Sequence, residues 1–288
     1  MARKTHKDLK TTQYSKHSVF KLGLLSLVLS PSLAFAGAWV AEEGKGYGKL
    51  AFSQYSADDF YGERSDLEEF NGSEFSYYGE YGIGNKLAIY GKIQHLDFEQ
   101  SDTNGASISN SGLGDVDIGV RYQWNAEPFV LSTSVLAKLP YLYDENDALA
   151  LGNGQEDIEL RVLIGKGLNQ YGYVGAEFGY RVRLDEPSDE YRYLLEYGFS
   201  VNQNLYFRSK IDGIESADNE DFANSPAGNL SLATAFSVGK LELTGGWNFG
   251  NAGSDGERWG VEFTYTDDLY GDNTLDGSRT ELALTRVF

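Results

Sequence analysis

The sequence predicts an all-β chain folded as a single up-and-down, antiparallel, transmembrane β-barrel of about twelve strands, with fourteen as the alternative. Three features predict it. Segments of about ten residues alternate apolar and polar side chains, the breaks between them are by turns short and long, and the chain ends on an aromatic residue, Phe288. Period-two alternation is the strand signature, and short turns at one end with long loops at the other is the layout of an outer-membrane barrel. Composition agrees: 20 Tyr, 16 Phe and 34 Gly against 5 Pro suit strands and tight turns better than helices.

Residues 1–36 read as a signal peptide and 37–288 as the barrel. Arg3, Lys4, Lys7, Lys10, Lys16 and Lys21 precede the apolar run LGLLSLVL (22–29); Pro31 and Ala34-Phe35-Ala36 then supply a break and a small-residue cleavage site. The run is too short for the ~20 residues of a spanning helix. Its removal leaves 18 basic residues against 42 acidic ones, a net charge of −24. Such a surface repels nucleic acid, so that partner class is excluded. Cysteine is absent, which excludes disulfides, thiolate catalysis and Cys-based metal sites.

Ten strands are expected up to Val238: 46–56, 74–83, 86–97, 114–124, 128–139, 156–166, 171–183, 190–201, 204–213 and 229–238. Three candidates follow, 241–249, 258–266 and 279–288, and a chain starting and ending on the periplasmic side needs an even number. Short turns are expected at Gly84-Asn85, Asn125–Pro128, Gly167–Gln170, Asn202–Asn204 and Gly239-Lys240. The long breaks 58–71, 98–112, 140–155 and 215–228 are rich in acid, Gly and Asn.

One face of these strands carries Leu87, Ile89, Ile93, Ile158, Leu160, Val162, Ile164, Tyr191, Tyr193, Leu195, Tyr197 and Phe199, and is assigned to lipid. The other is assigned to the lumen: Lys92, Asp117, Arg121, Lys138, Glu159, Arg161, Glu177, Arg181, Arg192, Glu196, Arg208 and Lys210, with Ser132 and Ser134. Arginine at either serine is expected to be tolerated, because it would point into the lumen. The last strand, TELALTRVF, puts Leu282, Leu284 and Phe288 on one face, the form of a C-terminal assembly signal, with Arg286 placed to snorkel.

The stretch SGLGDVDIGVRYQW (111–124) has three glycines in eight residues, yet Asp117 stands where G-x-G-x-x-G needs its third glycine, and no helical pattern follows. It reads as a bend at Gly112 and Gly114 entering a strand. Asp115 and Asp117 share a face, with Arg121 and Arg161 as the expected partners. His95, the one histidine of residues 37–288, shares parity with Ile89 and Ile93. With no G-x-S-x-G elbow and no zinc spacing, no enzyme, cofactor or metal is expected. Asp58-Asp59 and Asp267-Asp268 fall in segments that read as solvated loops.

GAWVAEEGKGYGKLAFSQYSADDFY (37–61), FSYYGEYGIGNKLAIYGKI (75–93), SGLGDVDIGVRYQW, FVLSTSVLAKLPY (129–141) and LGNGQEDIELRVLIGKGL (151–168) together resemble a family of outer-membrane barrels labelled the phenol-degradation MetA-pathway or XagA-like family. The most telling pieces are GLGD-x-x-IG-x-x-Y and LG-x-GQ-x-D. Residues 239–278 follow the pattern less well, and the usual aromatic two places before the last Phe is missing. The resemblance implies a barrel that moves small aromatic or apolar compounds.

The expected function is selective passage or binding of a small molecule in a Gram-negative outer membrane. The alternatives are a non-conducting structural or assembly barrel supporting surface polymer export and, third, a hydrolase built on His95. Expected partners are the small-molecule substrate, outer-membrane lipids and lipopolysaccharide, and the outer-membrane assembly machinery, with divalent cations shared by the acidic loops.

Overall fold

A computed structural model describes residues 37–62, 67–184, 187–218, 229, 231–232, 235–249 and 257–288. Residues 1–36, the expected signal peptide, lie outside the described residues. The strands are β1 (Gly46–Tyr61), β2 (Leu67–Gly84), β3 (Leu87–Asp102), β4 (Ser107–Leu113), β5 (Val116–Asn125), β6 (Val130–Leu139), β7 (Asp157–Gly167), β8 (Tyr173–Arg183), β9 (Glu190–Ser200), β10 (Leu205–Ser216), β11 (Ser237–Phe249), β12 (Arg258–Asp272) and β13 (Thr274–Val287). All pairings between named strands are antiparallel, and β1 pairs with both β2 and β13, which closes the sheet. The ring has twelve strands. The thirteenth, β4, pairs with the outer half of β3 (His95–Ser101) while β5 takes its inner half (Leu87–Lys92).

Gly114 makes that handover, its N–H donating to the Gln94 carbonyl at 2.9 Å. The expected bend at SGLGD is therefore present, but it joins two successive segments of one wall position.

The strand count is settled at residue 239. No turn exists at Gly239-Lys240, and among the described residues of the expected strand 229–238 only Ser237 and Val238 are in a strand. Both belong to β11, which runs on through a register shift at Gly239/Lys240. The Tyr270 ring lies over Gly239, where a Cβ would come within 2.1 Å of it. The glycine accommodates a neighbour's ring; it does not reverse the chain.

Two long breaks are mostly strand. β1, β2 and β3 run to 16, 18 and 16 residues, against 10 or 11 for β5–β9. Their outer ends pair Gln54 with Ser73 and Thr280, and Ser56 with Asn71 and Ser278. Here polar residues face outward while Tyr55, Ala57, Phe70 and Phe98 turn inward, the reverse of the apolar-out pattern of the other strands, so that pattern does not carry into these ends. For the same reason Asp58-Asp59 and Asp267-Asp268 are in β1 and β12, and the β12–β13 connection is a tight turn at Asn273. Residues 63–66 and 219–228 of the expected loops lie outside the described residues.

The exposure pattern decides inside from outside. Ile118, Leu160, Val162, Leu195 and Leu282 are 42–63 % exposed, whereas Glu159, Arg181 and Glu196 are at most 8 % exposed. A water-soluble sandwich would reverse this; a barrel in lipid requires it.

Candidate functional site

Ion pairs bridge strands that are not hydrogen-bonded to each other, across the concave inner face of the sheet. Arg121 on β5 reaches Glu80 on β2 at 2.9 Å, passing β3. Lys49 on β1 and Arg208 on β10 both reach Glu262 on β12, at 3.2 and 3.6 Å. One mesh joins β6 to β9. Glu159 accepts from Arg161 at 2.6 Å and Arg181 at 2.8 Å and lies 3.6 Å from Arg192, and Arg161 also binds Glu177 at 2.6 Å. Asp157 holds Arg181 at 3.4 Å and Lys138 at 3.2 Å, and Arg192 takes Glu190 at 2.6 Å. A second mesh holds Arg208 and Lys210 against Glu196 and Glu242, with Tyr173 and Tyr206 donating to Glu196 and Glu262 at 2.7 and 2.6 Å.

Eleven of the twelve residues assigned to the lumen thus sit in ion pairs, Lys92 through Glu74 at 2.7 Å. Asp117 lies in register between Lys92 and Lys138 but within 4 Å of neither. Its expected partners are engaged elsewhere, Arg121 by Glu80 and Arg161 by Glu159 and Glu177. Asp115 instead binds Lys138 at 3.5 Å and accepts from the Tyr143 hydroxyl at 2.7 Å. Sequence reading missed Lys49, Glu74, Glu80, Asp157, Glu190, Glu242 and Glu262. Asp157 and Glu190 continue the inward parity already visible on β7 and β9, whereas Lys49, Glu74, Glu80, Glu242 and Glu262 lie on β1, β2, β11 and β12, from which no face is drawn in the sequence.

Residues 37–45 occupy the end where β2 turns into β3. The Ser132 hydroxyl donates to the Ala38 carbonyl at 2.5 Å and Val40 N–H donates to Gln123 at 3.1 Å. Ala38 packs with Val130, Leu163 and Trp39, and Trp39 meets Tyr173 edge-on. Gly82 exchanges hydrogen bonds with Gly44 and Lys45. Ser132 is fully buried beneath this segment and Ser134 is 5 % exposed. The expectation that arginine is tolerated there fails, because the enclosed face is packed rather than open. Nothing in the alternation of 46–288 signals an inserted segment that precedes it.

Towards the opposite end lies a cavity of about 310 Å³. Phe70, Leu96, Phe98, Leu151, Phe236 and Leu275 supply its apolar lining; Tyr55, Glu74, Asp115, Lys240, Asp268 and Arg279 its polar one. The expected loop 140–155 forms part of the roof, with Leu149, Ala150 and Leu151 at most 5 % exposed. Asn110 donates to the Leu149 carbonyl at 3.0 Å and Asn229 to that of Ala150 at 2.6 Å. Burial, then the Asp115 carboxylate, pushes the Tyr143 phenol in this loop well up, so it stays a donor.

His95 is exposed on the outer face, in register with Phe75 and Leu113. Phe288 exchanges both backbone hydrogen bonds with Gly46, at 2.7 and 3.0 Å, and stacks on Tyr81. Arg286 lies over the Trp259 and Phe288 rings and reaches Glu257 at 3.5 Å.

No family model matches the chain, and no curated protein does. The phenol-degradation MetA-pathway label remains a resemblance carried by the quoted segments. Among solved structures, the chain is similar to the COG4313 outer membrane channel from Pseudomonas putida F1, at 16 % identity and a TM-score of 0.68 over 89 % of this chain and all of that one. It is similar to the NanC porin at 10 % identity and a TM-score of 0.51, over 84 % and 98 % of the two chains. The translocator domain of the autotransporter NalP from Neisseria meningitidis matches at 11 % and 0.51, over 90 % and 91 %. At these identities the likeness is one of fold: a closed twelve-stranded barrel of the kind found in outer-membrane channels.

Proposed function

We propose that this chain is a Gram-negative outer-membrane barrel that captures small apolar or aromatic molecules in the 310 Å³ chamber and passes them along a narrow, gated interior. The carrying observation is the contrast along the lumen. An apolar-lined chamber sits at one end, paired charges fill the middle, and residues 37–45 cover the other end. A dozen strands enclose only a modest lumen, and here Lys92, Asp117, Arg121, Lys138, Glu159, Arg161, Glu177, Arg181, Arg192, Glu196, Arg208 and Lys210 would line the path. The chamber volume falls at the low end of the ~300–1,000 Å³ usual for small-molecule sites. Phe288 would serve the assembly machinery, the apolar outer face would meet lipid, and the acidic outer segments would share divalent cations with lipopolysaccharide.

The packed charges also suit the second reading, a structural or assembly barrel that conducts nothing. Planar-bilayer recordings together with titration of 3-phenylpropan-1-ol into the protein in lipid nanodiscs separate the two. Saturable binding of the alcohol, with small or intermittent conductance, is the expected result. Large steady steps would make the protein an open porin, and absence of both binding and conductance would favour the structural reading.

A further inference from the structure

The hydrogen-bonding capacity left over in the chamber is unevenly divided. Its carboxylates are satisfied and shielded. Asp268 accepts from the Tyr55 hydroxyl at 2.8 Å, from Gly277 N–H at 3.2 Å and from Lys240 at 3.5 Å, with its side chain 2 % exposed. Glu74 is held by Lys92 at 2.7 Å and Arg279 at 3.2 Å and is 12 % exposed. Asp115 has Tyr143 and Lys138.

The two cations of the lining are different. The Lys240 side chain is 33 % exposed and, among the described residues, its ammonium pairs with Asp268; that of Arg279 is 39 % exposed and spends one nitrogen on Glu74 while the guanidinium leans over the Tyr55 ring at 5.8 Å. Arginine has five donors and lysine three, so both present unused donors to the cavity they line. Lys92 and Lys138 reach Glu74 and Asp115 from beyond the lining, Lys138 also holding Asp157, so the chamber's carboxylates have partners besides Lys240 and Arg279. What the chamber offers a ligand is therefore the spare donors of Lys240 and Arg279, beside Phe70, Phe98, Phe236 and Leu275.

We infer that the chamber selects an amphipathic monoanion, a small apolar or aromatic body bearing one carboxylate, which Arg279 and Lys240 hold while the apolar lining takes the body. The inference rests on the capture reading above and narrows its substrate class. A charge-assisted hydrogen bond contributes about 1.5–3 kcal/mol, so one such contact gives about a tenfold or greater preference over a neutral head.

The test titrates three probes of one body, 3-phenylpropionate, 3-phenylpropan-1-ol and 3-phenylpropylamine, into the full chain in lipid nanodiscs, with empty nanodiscs subtracted. The carboxylate should bind about tenfold or more tighter than the alcohol, and the amine weakest. Arg279→Gln and Lys240→Gln should each erode that preference while leaving alcohol affinity unchanged, and Arg279→Lys should keep most of it. Glu74 and Asp268 retain other donors in these variants, so folding, checked by heat-modifiable gel mobility, should survive. Equal binding of alcohol and carboxylate, or tightest binding of the amine, overturns the anion assignment and leaves the capture reading standing. Binding of none of the three overturns both.

Discussion

Glu262 has a side chain only 1 % exposed and holds three groups at once: Lys49 at 3.2 Å, Arg208 at 3.6 Å and the Tyr206 hydroxyl at 2.6 Å. Two cations on non-adjacent strands converge on it, so one carboxylate ties β1 and β10 to β12. Removing one partner of a buried pair costs ~3–5 kcal/mol, because the others are left charged and dry. Glu262→Gln should therefore destabilise the barrel by about 3 kcal/mol, the lower end, since Lys49 keeps Glu281 and Arg208 keeps Glu196 and Glu242. Urea unfolding in lipid vesicles, followed by tryptophan fluorescence, measures this; a shift under 1 kcal/mol would mean that water reaches the mesh.

At the scale of elements, residues 37–45 and β2 meet where no side chain fits. A Cβ on Gly82 would stand 2.2 Å from the Glu42 carbonyl oxygen and 2.5 Å from that of Ala41. Backbone cannot swing aside as a side chain can, so Gly82→Ala should cost about 1–3 kcal/mol and lift the segment from β2. The expected signs are faster proteolysis within residues 37–45 and longer or larger conductance steps. Unchanged conductance despite demonstrated release would remove the segment from any role in closing the lumen. How far such elements are legible varies with burial. β7 and β9 show plain alternation because one face is apolar and the other carries Asp157, Glu159 and Arg161 or Glu190, Arg192 and Glu196. The outer ends of β1–β3 are polar outside and aromatic inside, the reverse of that pattern, so their length appears only in the pairing.

For the molecule as a whole, sidedness is the quantity under test. Val162 and Leu195 are 42 % and 57 % exposed on the outer face. Arginine at either should destabilise by ~2–4 kcal/mol near the mid-plane of a bilayer. The same substitutions in a detergent-solubilised barrel should cost much less, because the micelle yields around a charge. Equal costs in vesicles and detergent, read from urea midpoints, would count against lipid contact at these positions.

The amino-acid order alone determined which residues turn inward, because strand side chains alternate strictly and a one-residue slip would put charge in lipid. It also determined that the sheet is a barrel, through the alternating break lengths and the apolar face that water would not tolerate. Only the tertiary structure decided who pairs with whom. Arg121 takes Glu80 rather than Asp117 because β2 and β5 flank β3 and the concave inner face lets the long Arg121 side chain cross it, a proximity that the inserted β4 conceals in the sequence. Closure also decided the count, since β11 passes straight through Gly239 to stay paired with β10 and β12. And it made the chamber: Tyr55, Phe70, Lys240 and Arg279 lie far apart in the chain, and only the curvature of one closed sheet sets them around a common space.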